Sequence, residues 1–291
     1  MKNSVAVLGL GNMGSVIATR LETTGFDVTV FNRTREKAEY WCEKHGSRMA
    51  TTPGSAVIDA DVVIVCVRDD HALRALMDGE DGVWCSVGRG ALIIDHSTTS
   101  VEAAREMHLE AARRDIDFLD APLFGNAKSL VDGQVGIVAG GEKSAFQRAQ
   151  KLFQSYAASM VLAGPAGTGQ LMKMVNQICM AGIILSLTEA LSFAEAVDCD
   201  TNYVLASLAA GSANSWQLEN RGRKMVERDF EGPGLISLLS KDMDICLAEA
   251  QRQGLSLPVA ERMGKVCQYL NKAGHGDWDA AGLISLIRSQ Y

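Results

Sequence analysis

Residues 5–21 read "VAVLGLGNMGSVIATRL" and decide the fold of the first half of the chain. A short apolar run ends at Gly9-x-Gly11-x-x-Gly14, and a pattern of helical period follows the last glycine. In this context the glycines serve a tight turn, close approach of a pyrophosphate to the backbone, and close helix–strand packing. The helix N-terminus adds free N–H groups and a positive dipole end. The stretch predicts a dinucleotide-binding turn, with a purely structural turn as the alternative.

The same alternation of strand and helix patterns continues to about residue 164. The runs predicted to be strands are 5–10, 27–31, 61–67, 91–97, 117–122 and 135–140. Amphipathic helical patterns lie between them, among others at 13–24, 34–45, 70–78 and 101–114. This order is typical of an α/β Rossmann-type fold, a doubly wound and mostly parallel sheet with helices on both faces.

The pattern changes after "AGPAGTG" (163–169), where glycine and proline cluster. A long apolar helical pattern covers 170–198. Shorter helical patterns follow at 201–210, 214–227, 235–253, 257–273 and 278–288. The sequence therefore predicts an NAD(P)-binding domain over residues 1–164 and an all-helical domain for substrate binding and dimerisation over residues 165–291. Because the helix at 170–198 is too apolar for one small domain to cover, we expect a homodimer or homotetramer.

Composition and charge narrow the class of protein. The chain has 291 residues and a net charge of −7, without the basic stripe that a nucleic-acid-binding surface requires. Its seven cysteines form neither a C-x-x-C pair nor a Cys/His cluster, which indicates reduced thiols and no metal site. The most membrane-like stretch, 180–196, carries Glu189 and Glu195 and is predicted to be too short between charges to span a bilayer. We expect a soluble cytoplasmic protein that binds a small molecule, with no nucleic-acid or membrane partner.

The end of the second predicted strand, "VFNRTREK" (30–37), bears on the choice of cofactor. An NAD site usually places an acidic residue about 20 residues past the glycine motif, where it binds the ribose 2′-OH. Here Asn32, Arg33, Thr34 and Arg35 stand instead. An amide, a hydroxyl and guanidinium groups suit a 2′-phosphate, so the stretch predicts NADP(H) in preference to NAD(H). A plain basic surface turn is the alternative.

A lysine lies inside the apolar helix pattern, in "GTGQLMKMVNQ" (167–177). On a helix Lys173, Asn176 and Gln177 stand at i, i+3 and i+4 and share one face, which suggests a wet cleft. A lysine ammonium can donate a proton to a carbonyl oxygen and stabilise the developing alkoxide. The alternative is a side chain that lies along the surface with its ammonium group in water.

Five motifs occur in the order found in one family: "GLGNMG" (9–14), "IDHST" (94–98), "DAPLFGNAKSLVDGQ" (120–134), "GTGQLMKMVNQ" (167–177) and "KDMDICLAEA" (241–250). They span nearly the whole chain. The sequence resembles the β-hydroxyacid dehydrogenases, which include 3-hydroxyisobutyrate dehydrogenase, tartronate semialdehyde reductase and glyoxylate/succinic semialdehyde reductase. The resemblance implies a 6-phosphogluconate dehydrogenase-like fold and interconversion of a small hydroxy acid with its semialdehyde or 2-oxo acid.

The resemblance also implies roles for individual residues. The implied cofactor-binding residues are Gly9, Leu10, Gly11, Asn12, Met13, Gly14, Asn32, Arg33, Thr34, Val67, Thr98 and Lys241. The implied substrate-binding residues are Ser97, Leu123, Phe124, Gly125, Asn126, Lys173, Asn176 and Gln177. Lys173 is the implied proton donor and acceptor of a hydride transfer, and Asn176 is its catalytic neighbour.

The sequence departs from the family pattern at the substrate loop. The usual D-A-P-V-S-G-G is D-A-P-L-F-G-N here, so that Phe124 replaces a serine and Asn126 replaces a glycine. Asparagine tolerates a left-handed backbone, and backbone N–H groups can still bind a carboxylate. Gln177 replaces the second asparagine of the frequent K-x-x-N-N. An imine reductase on the same scaffold, in which Lys173 would be replaced, and a non-catalytic nucleotide-binding scaffold are the alternative functions.

Four more residues have competing interpretations. His96 is either a cofactor contact or a hydrogen-bonded structural residue, and the second is favoured. Trp216 covers the substrate pocket or packs in the core. His275 is predicted to be a turn or interface residue, and Asp242 is predicted to orient Lys241.

Overall fold

The computed structural model describes residues 4–290, and the side chains of residues 4–286. The first and last residues of the two predicted domains, 1–3 and 291, therefore lie outside the described residues. A nine-stranded sheet is followed by helices. The strands are β1 (Ser4–Leu8), β2 (Asp27–Phe31), β3 (Arg48–Met49), β4 (Val62–Val65), β5 (Leu92–Asp95), β6 (Asp117–Asp120), β7 (Leu123–Phe124), β8 (Val135–Gly141) and β9 (Ala157–Gly164).

The α-helices alternate with these strands as far as β9 and then follow one another. They are α1 (Gly14–Thr23), α2 (Arg35–His45), α3 (Pro53–Val57), α4 (Asp70–Met77), α5 (Val101–Ala112), α6 (Ala127–Val131), α7 (Lys143–Phe153), α8 (Thr168–Ala196), α9 (Thr201–Ala210), α10 (Trp216–Glu227), α11 (Ile236–Arg252) and α12 (Pro258–Lys272). Two segments, Val83–Cys85 and Ala280–Gln290, are 3-10 helices.

The sheet is doubly wound, as predicted. Its strand order is β3-β2-β1-β4-β5-β6-β8-β7, and β9 pairs with β8. Strands β1 to β6 pair in parallel, whereas β8 runs antiparallel to both β6 and β7. The strand order changes direction at the β1–β4 pair, where ligands bind beyond the carboxyl ends of open α/β sheets. The loops after β1, β4, β5 and β6 therefore meet along one edge.

Alternate residues of the central strands are buried in two cores on opposite faces of the sheet. Val5 and Val7 of β1 belong to one cluster, and Ala6 and Leu8 belong to the other. Because both faces are covered, the strands are continuously apolar rather than alternating in polarity.

Some elements differ from the predicted ones. Strands β3 and β7 have only two residues each, too few for a sequence pattern. Strand β9 was missed because none of its residues is buried, so it lacks the buried apolar run that marks the other strands. The segment predicted as a helix at 278–288 is a 3-10 helix over Ala280–Gln290, and its last side chains lie outside those described.

The chain forms two compact units, Met1–Lys173 and Met174–Tyr291. The division lies inside α8 rather than at residue 164. Residues 165–173 group with the first unit because the buried Asp120 accepts hydrogen bonds from the backbone N–H groups of Gly167 and Gln170.

Helix α8 is 29 residues long, and its most apolar 18-residue window has a mean hydropathy of 1.5, so that by length and composition alone it could cross a membrane. The helix begins at Thr168 and is longer than the stretch 180–196, but Lys173, Glu189 and Glu195 interrupt its apolar run, so the prediction that this run is too short between charges remains a prediction. In the structure 44% of its most apolar window is buried within the protein.

The described part of the second unit is helical, apart from an isolated bridge between Leu235 and Asp279. Met225, Met243 and Met263 are fully buried in it and form part of its core. A buried ion pair joins Arg221 Nε to Asp279 Oδ1 at 2.8 Å. Asp279 also accepts the backbone N–H groups of Gly234 and Ala281, so it holds the chain on both sides of α11 and α12 together.

Candidate active site

The outer glycines of the 9–14 turn are required by the fold itself. Gly9 has a φ of 102°, a conformation that L side chains rarely adopt, and a Cβ there would overlap the carbonyl oxygen of Cys66. A Cβ at Gly14 would overlap the carbonyl oxygen of Gly9. These two positions bring the turn, β4 and the start of α1 into direct backbone contact.

Gly11 differs from its two neighbours in the motif. A Cβ placed on Gly11 would meet nothing within 4 Å in the described chain, and the residue is exposed. Helix α1 starts three residues later, and no described side chain caps its N-terminus. A Cβ at Gly11 would occupy open space next to uncapped N–H groups, where a pyrophosphate binds in dinucleotide folds. The turn therefore fits the phosphates of a nicotinamide dinucleotide.

Asn32 links the end of β2 to the glycine-rich turn. Its Oδ1 accepts a hydrogen bond from Leu10 N at 2.9 Å, and its Nδ2 donates to Thr34 O at 2.8 Å. Asn32 thus connects the glycine-rich turn to the β2–α2 loop. The two exposed residues that follow are Arg33 and Thr34, the N-cap of α2, whose side chain makes no capping bond in the described chain. Arg35 is in an ion pair with Glu39 at 2.7 Å.

Ser97 is buried and engaged within the protein, although it was predicted to bind substrate. Its Oγ accepts a hydrogen bond from Val67 N at 2.9 Å, and its own N–H donates to Asp95 Oδ1 at 2.9 Å. Ser97 therefore joins the ends of β4 and β5. Burial raises the pKa of the Asp95 carboxyl to about 7, and its Oδ2 finds no hydrogen-bond partner among the described residues. Thr98, the next residue, is partly exposed.

His96 is a structural residue, as the favoured interpretation predicts. Its Nδ1 lies 2.6 Å from the carbonyl oxygen of Ala121, which can only accept, so Nδ1 carries the proton. Its Nε2 then accepts from the hydroxyl of Tyr156 at 2.8 Å. Burial lowers the pKa of the imidazole to about 4, so His96 is neutral at physiological pH.

Two buried side chains that the sequence analysis did not single out anchor the start of α8. Asp120 Oδ1 accepts from Gly167 N at 2.7 Å, and Oδ2 accepts from Gln170 N at 2.9 Å. Burial raises the pKa of Asp120 to about 6. Gln170 Nε2 donates to Ser97 O at 2.8 Å, and its Oε1 accepts from Thr99 N at 3.1 Å. An acidic residue at a strand end was the available signal, because carboxylates stabilise helix N-termini.

Lys173 lies one turn beyond this anchor and is partly buried. Its Nζ donates to the carbonyl oxygen of Leu123 at 2.8 Å and lies 5.3 Å from the ring centroid of Phe124. These contacts hold the ammonium group beside β7. These contacts disagree with the alternative prediction, in which the ammonium group lies in water.

The loop around β7 uses its side chains differently from the prediction. Leu123 packs its side chain into the core and contributes its carbonyl oxygen. Gly125, with a φ of 148°, adopts the conformation that was expected at Asn126. Asn126 has an extended backbone and caps α6, with its Oδ1 accepting from Ser129 N at 2.9 Å.

Asn176 and Gln177 behave differently although they are neighbours on α8. Asn176 is exposed and donates from Nδ2 to Gln177 Oε1 at 3.0 Å. Gln177 is buried, and its Nε2 donates to Asp242 Oδ2 at 2.5 Å. Asp242 Oδ1 lies 2.9 Å from Lys241 Nζ. Gln177 thus connects Asn176 to Asp242, and Asp242 pairs with Lys241 as predicted.

Trp216 and His275 lie in the second unit. Trp216 is 48% exposed at the start of α10, which excludes its interpretation as a core residue. His275 lies in a turn and stacks on Trp278 with ring centroids 3.7 Å apart, a structural role. Among the described residues no group of His, Cys, Asp or Glu side chains could hold a metal ion.

Two family models match the chain. The NAD binding domain of 6-phosphogluconate dehydrogenase matches residues 4–164, and the NAD-binding domain of NADP-dependent 3-hydroxyisobutyrate dehydrogenase matches residues 167–287. The chain belongs to the β-hydroxyacid dehydrogenase family. As a member of this family it is an NAD(P)-dependent oxidoreductase of the hydroxyacid dehydrogenase type.

Similar proteins cover nearly the full length of this β-hydroxyacid dehydrogenase. An uncharacterized oxidoreductase of Shewanella frigidimarina is 37% identical over 97% of this chain and 97% of its own. The probable 3-hydroxyisobutyrate dehydrogenase-like 1, mitochondrial, of Arabidopsis thaliana is 32% identical over 94% of this chain and 80% of its own.

Solved structures agree with the 6-phosphogluconate dehydrogenase-like fold. The 3-hydroxyisobutyrate dehydrogenase of Mycobacterium tuberculosis, solved with L-serine, is 26% identical with a TM-score of 0.88, over 99% of this chain and 100% of its own. An imine reductase of Myxococcus stipitatus, solved with NADP+, is 22% identical with a TM-score of 0.65, over 98% and 99% of the two chains. The second likeness concerns the fold alone.

Proposed function

We propose that this protein reduces a small semialdehyde or 2-oxo acid to the hydroxy acid with NADPH, and that Lys173 supplies the proton. The observation that carries the proposal is the position of the Lys173 ammonium, held by Leu123 O at 2.8 Å on a helix whose start is anchored to the sheet edge. That edge also carries the glycine-rich turn.

In the proposed reduction NADPH, when bound, would supply the hydride that forms the new C–H bond at the carbonyl carbon. The π electron pair of the carbonyl moves to its oxygen, which takes a proton from Lys173 Nζ. The ammonium also stabilises the negative charge that develops on this oxygen. Solvent reprotonates the neutral lysine, and the reverse reaction requires that lysine to be neutral first.

The preference for NADP(H) is supported by the β2–α2 loop. No acidic side chain follows β2 at 32–35, while Arg33 and Thr34 are exposed beside the N-terminus of α2. A guanidinium and a hydroxyl at a helix N-terminus are a suitable environment for a 2′-phosphate. Asn32 supports this site by holding the loop against the glycine-rich turn.

An imine reductase is the second candidate, favoured by the shared fold. Lys173 argues against it, because an iminium carbon receives hydride without protonation of an oxygen. A non-catalytic scaffold would not need Lys173 beside β7.

We further propose a cytoplasmic homodimer or homotetramer that binds neither nucleic acid nor membrane. Helix α8 exposes Val175, Ile183 and Phe193, and helix α9 has no buried residue although it is mostly apolar. Apolar helix surfaces of this kind are suited to a second copy of the chain. Sedimentation velocity tests this proposal, and a monomer at micromolar concentration would contradict it.

The test of the reaction compares Lys173→Ala with Lys151→Ala, a matched change at an exposed lysine of α7. NADPH oxidation is measured with glyoxylate, succinic semialdehyde, methylmalonate semialdehyde, tartronate semialdehyde, methylglyoxal and cyclic imines. We expect Lys173→Ala to lower kcat by about 10²- to 10⁴-fold while NADPH affinity is retained. Unchanged turnover in this variant, or turnover of the cyclic imines alone, would contradict the proposal.

A further inference from the structure

The side chain of Asn126, in the substrate loop, is hydrogen-bonded to a residue of the helix that follows it. Asn126 Oδ1 accepts from both the backbone N–H of Ser129 at 2.9 Å and its hydroxyl at 3.1 Å. Ser97 Oγ accepts from Val67 N, and Gln177 is buried against Asp242. One polar atom of each of these three side chains, Asn126 Oδ1, Ser97 Oγ and Gln177 Nε2, is therefore hydrogen-bonded within the protein.

Phe124 is the side chain of the substrate loop that lies next to the Lys173 ammonium group. It is partly buried, and its ring centroid lies 5.3 Å from Lys173 Nζ. Strand pairing places Phe124 opposite Gly136, and a Cβ added to Gly136 would lie only 3.6 Å from the Cβ of Phe124. The phenyl group is thus held at this position by β8 and by the cation–π contact with the ammonium.

The distances bring a bound substrate within reach of this ring. A carbonyl oxygen that accepts a proton from Nζ lies about 2.8 Å from it. The carbonyl carbon lies up to about 1.2 Å farther from Nζ, and the next carbon up to about 1.5 Å beyond that. The phenyl ring lies at a similar distance from Nζ, so a substituent next to the carbonyl reaches the phenyl group when it lies on the same side of Nζ as the ring.

We propose that Phe124 determines specificity by selecting a methyl or other small alkyl substituent, and rejecting a hydroxyl, on the carbon next to the reacting carbonyl. The inference rests on the proposed function and names the substrate class of that same site. A methyl group gains contact with the ring and loses no hydrogen bond. A hydroxyl loses its bonds to water and meets a surface that offers no replacement.

The test uses two substrates that differ only at this substituent. These are the 2-methyl and 2-hydroxy forms of 3-oxopropanoate, namely methylmalonate semialdehyde and tartronate semialdehyde. We expect the wild type to favour the methyl form by about 10- to 100-fold in kcat/KM. Phe124→Leu keeps an apolar side chain and should keep this ratio, whereas Phe124→Ser should lower it by at least about tenfold.

A second measurement needs no turnover. With NADPH already bound, the alcohols 3-hydroxyisobutyrate and glycerate form complexes that cannot react, and calorimetry gives their Kd values. The ratio of the two Kd values should favour the methyl-bearing acid in the wild type and in Phe124→Leu, and should approach one in Phe124→Ser. Circular dichroism and thermal unfolding of each variant establish that it is folded.

The outcomes separate this inference from the proposed function. If both semialdehydes are reduced with equal kcat/KM, or if Phe124→Ser leaves the ratio unchanged, the role of Phe124 is overturned and the proposed function stands. If neither is reduced but the Kd ratio behaves as expected, the proposed reaction fails and the selectivity of Phe124 is supported. Binding of neither acid overturns both.

Discussion

The glycine-rich turn and the substrate loop follow two strands of the same sheet, yet they use their residues in opposite ways. In the turn, Gly9 and Gly14 serve the fold, and Gly11 leaves open space for a ligand. In the loop, Asn126 and Leu123 serve the fold, and Phe124 and Lys173 meet at a position where a substrate can bind.

The difference shows that membership of a motif does not make a residue a ligand contact. Ser97 and Gln177 occupy motif positions and were expected to bind substrate, but both are buried and hydrogen-bonded within the protein. A polar atom that is already hydrogen-bonded within the protein has less capacity left for a ligand, so the internal hydrogen bonds indicate which atoms remain for binding. Substituting residues of each kind tests this distinction.

The largest expected effects come from a matched pair of changes in the turn. Gly9→Ala should destabilise the protein by about 3 kcal/mol, because the new methyl group overlaps Cys66 O in a backbone conformation unsuited to alanine. Gly11→Ala should leave the free energy of unfolding within about 1 kcal/mol of wild type. Its NADPH affinity should nevertheless fall by at least about tenfold, since the methyl group enters the space of the phosphates.

Urea unfolding and fluorescence titration with NADPH measure the two quantities. If Gly11→Ala binds NADPH as tightly as wild type, the claim that Gly11 leaves space for the phosphates is contradicted. If Gly11→Ala instead unfolds as readily as Gly9→Ala, the middle glycine also serves the fold.

An intermediate effect is expected at the adenosine end. Arg33→Ala should weaken NADPH binding by about 10- to 100-fold and leave NADH binding unchanged, because a charge-assisted contact to the 2′-phosphate is lost. Arg35→Ala is the control, since Arg35 already pairs with Glu39. Dissociation constants for both nucleotides decide the question, and an equal loss for NADPH and NADH in Arg33→Ala would remove the argument for NADP(H).

An effect of similar or smaller size is expected from pH. Burial raises the pKa of Asp95 to about 7 from its ordinary value of 3.8, so the folded protein binds this proton more tightly than the unfolded chain. The resulting stability is fully present below about pH 4 and is lost as the pH rises through about 7. Between pH 5 and pH 8 the wild type should therefore lose about 2 kcal/mol more than Asp95→Asn.

Thermal unfolding at the two pH values measures this difference. Asp59→Asn, at an exposed carboxylate, is the control and should follow the wild type. A wild type that lost no more stability than Asp95→Asn over this range would mean that Asp95 is already ionised in the fold.

Much of the fold could be predicted from local patterns. The parallel strands β1, β2, β4, β5 and β6 were found within a few residues, because each is a buried apolar run bounded by turn residues. Strand β7 was missed because its two residues gain their structure from pairing with β8. The two compact units meet inside α8, beyond the domain boundary predicted at residue 164, because Asp120 binds that helix start across about fifty positions of sequence.

By itself the sequence determined the doubly wound sheet, the glycine-rich turn, the helical second half and the presence of Lys173 in an apolar helix. These features follow from the period of apolar residues and from short-range glycine spacing. Only the tertiary structure decided which polar atoms remain for ligands. Gln170 reaches Ser97 over 73 positions and Gln177 reaches Asp242 over 65, and no local pattern encodes such pairings. The same long-range packing placed Phe124 beside the Lys173 ammonium.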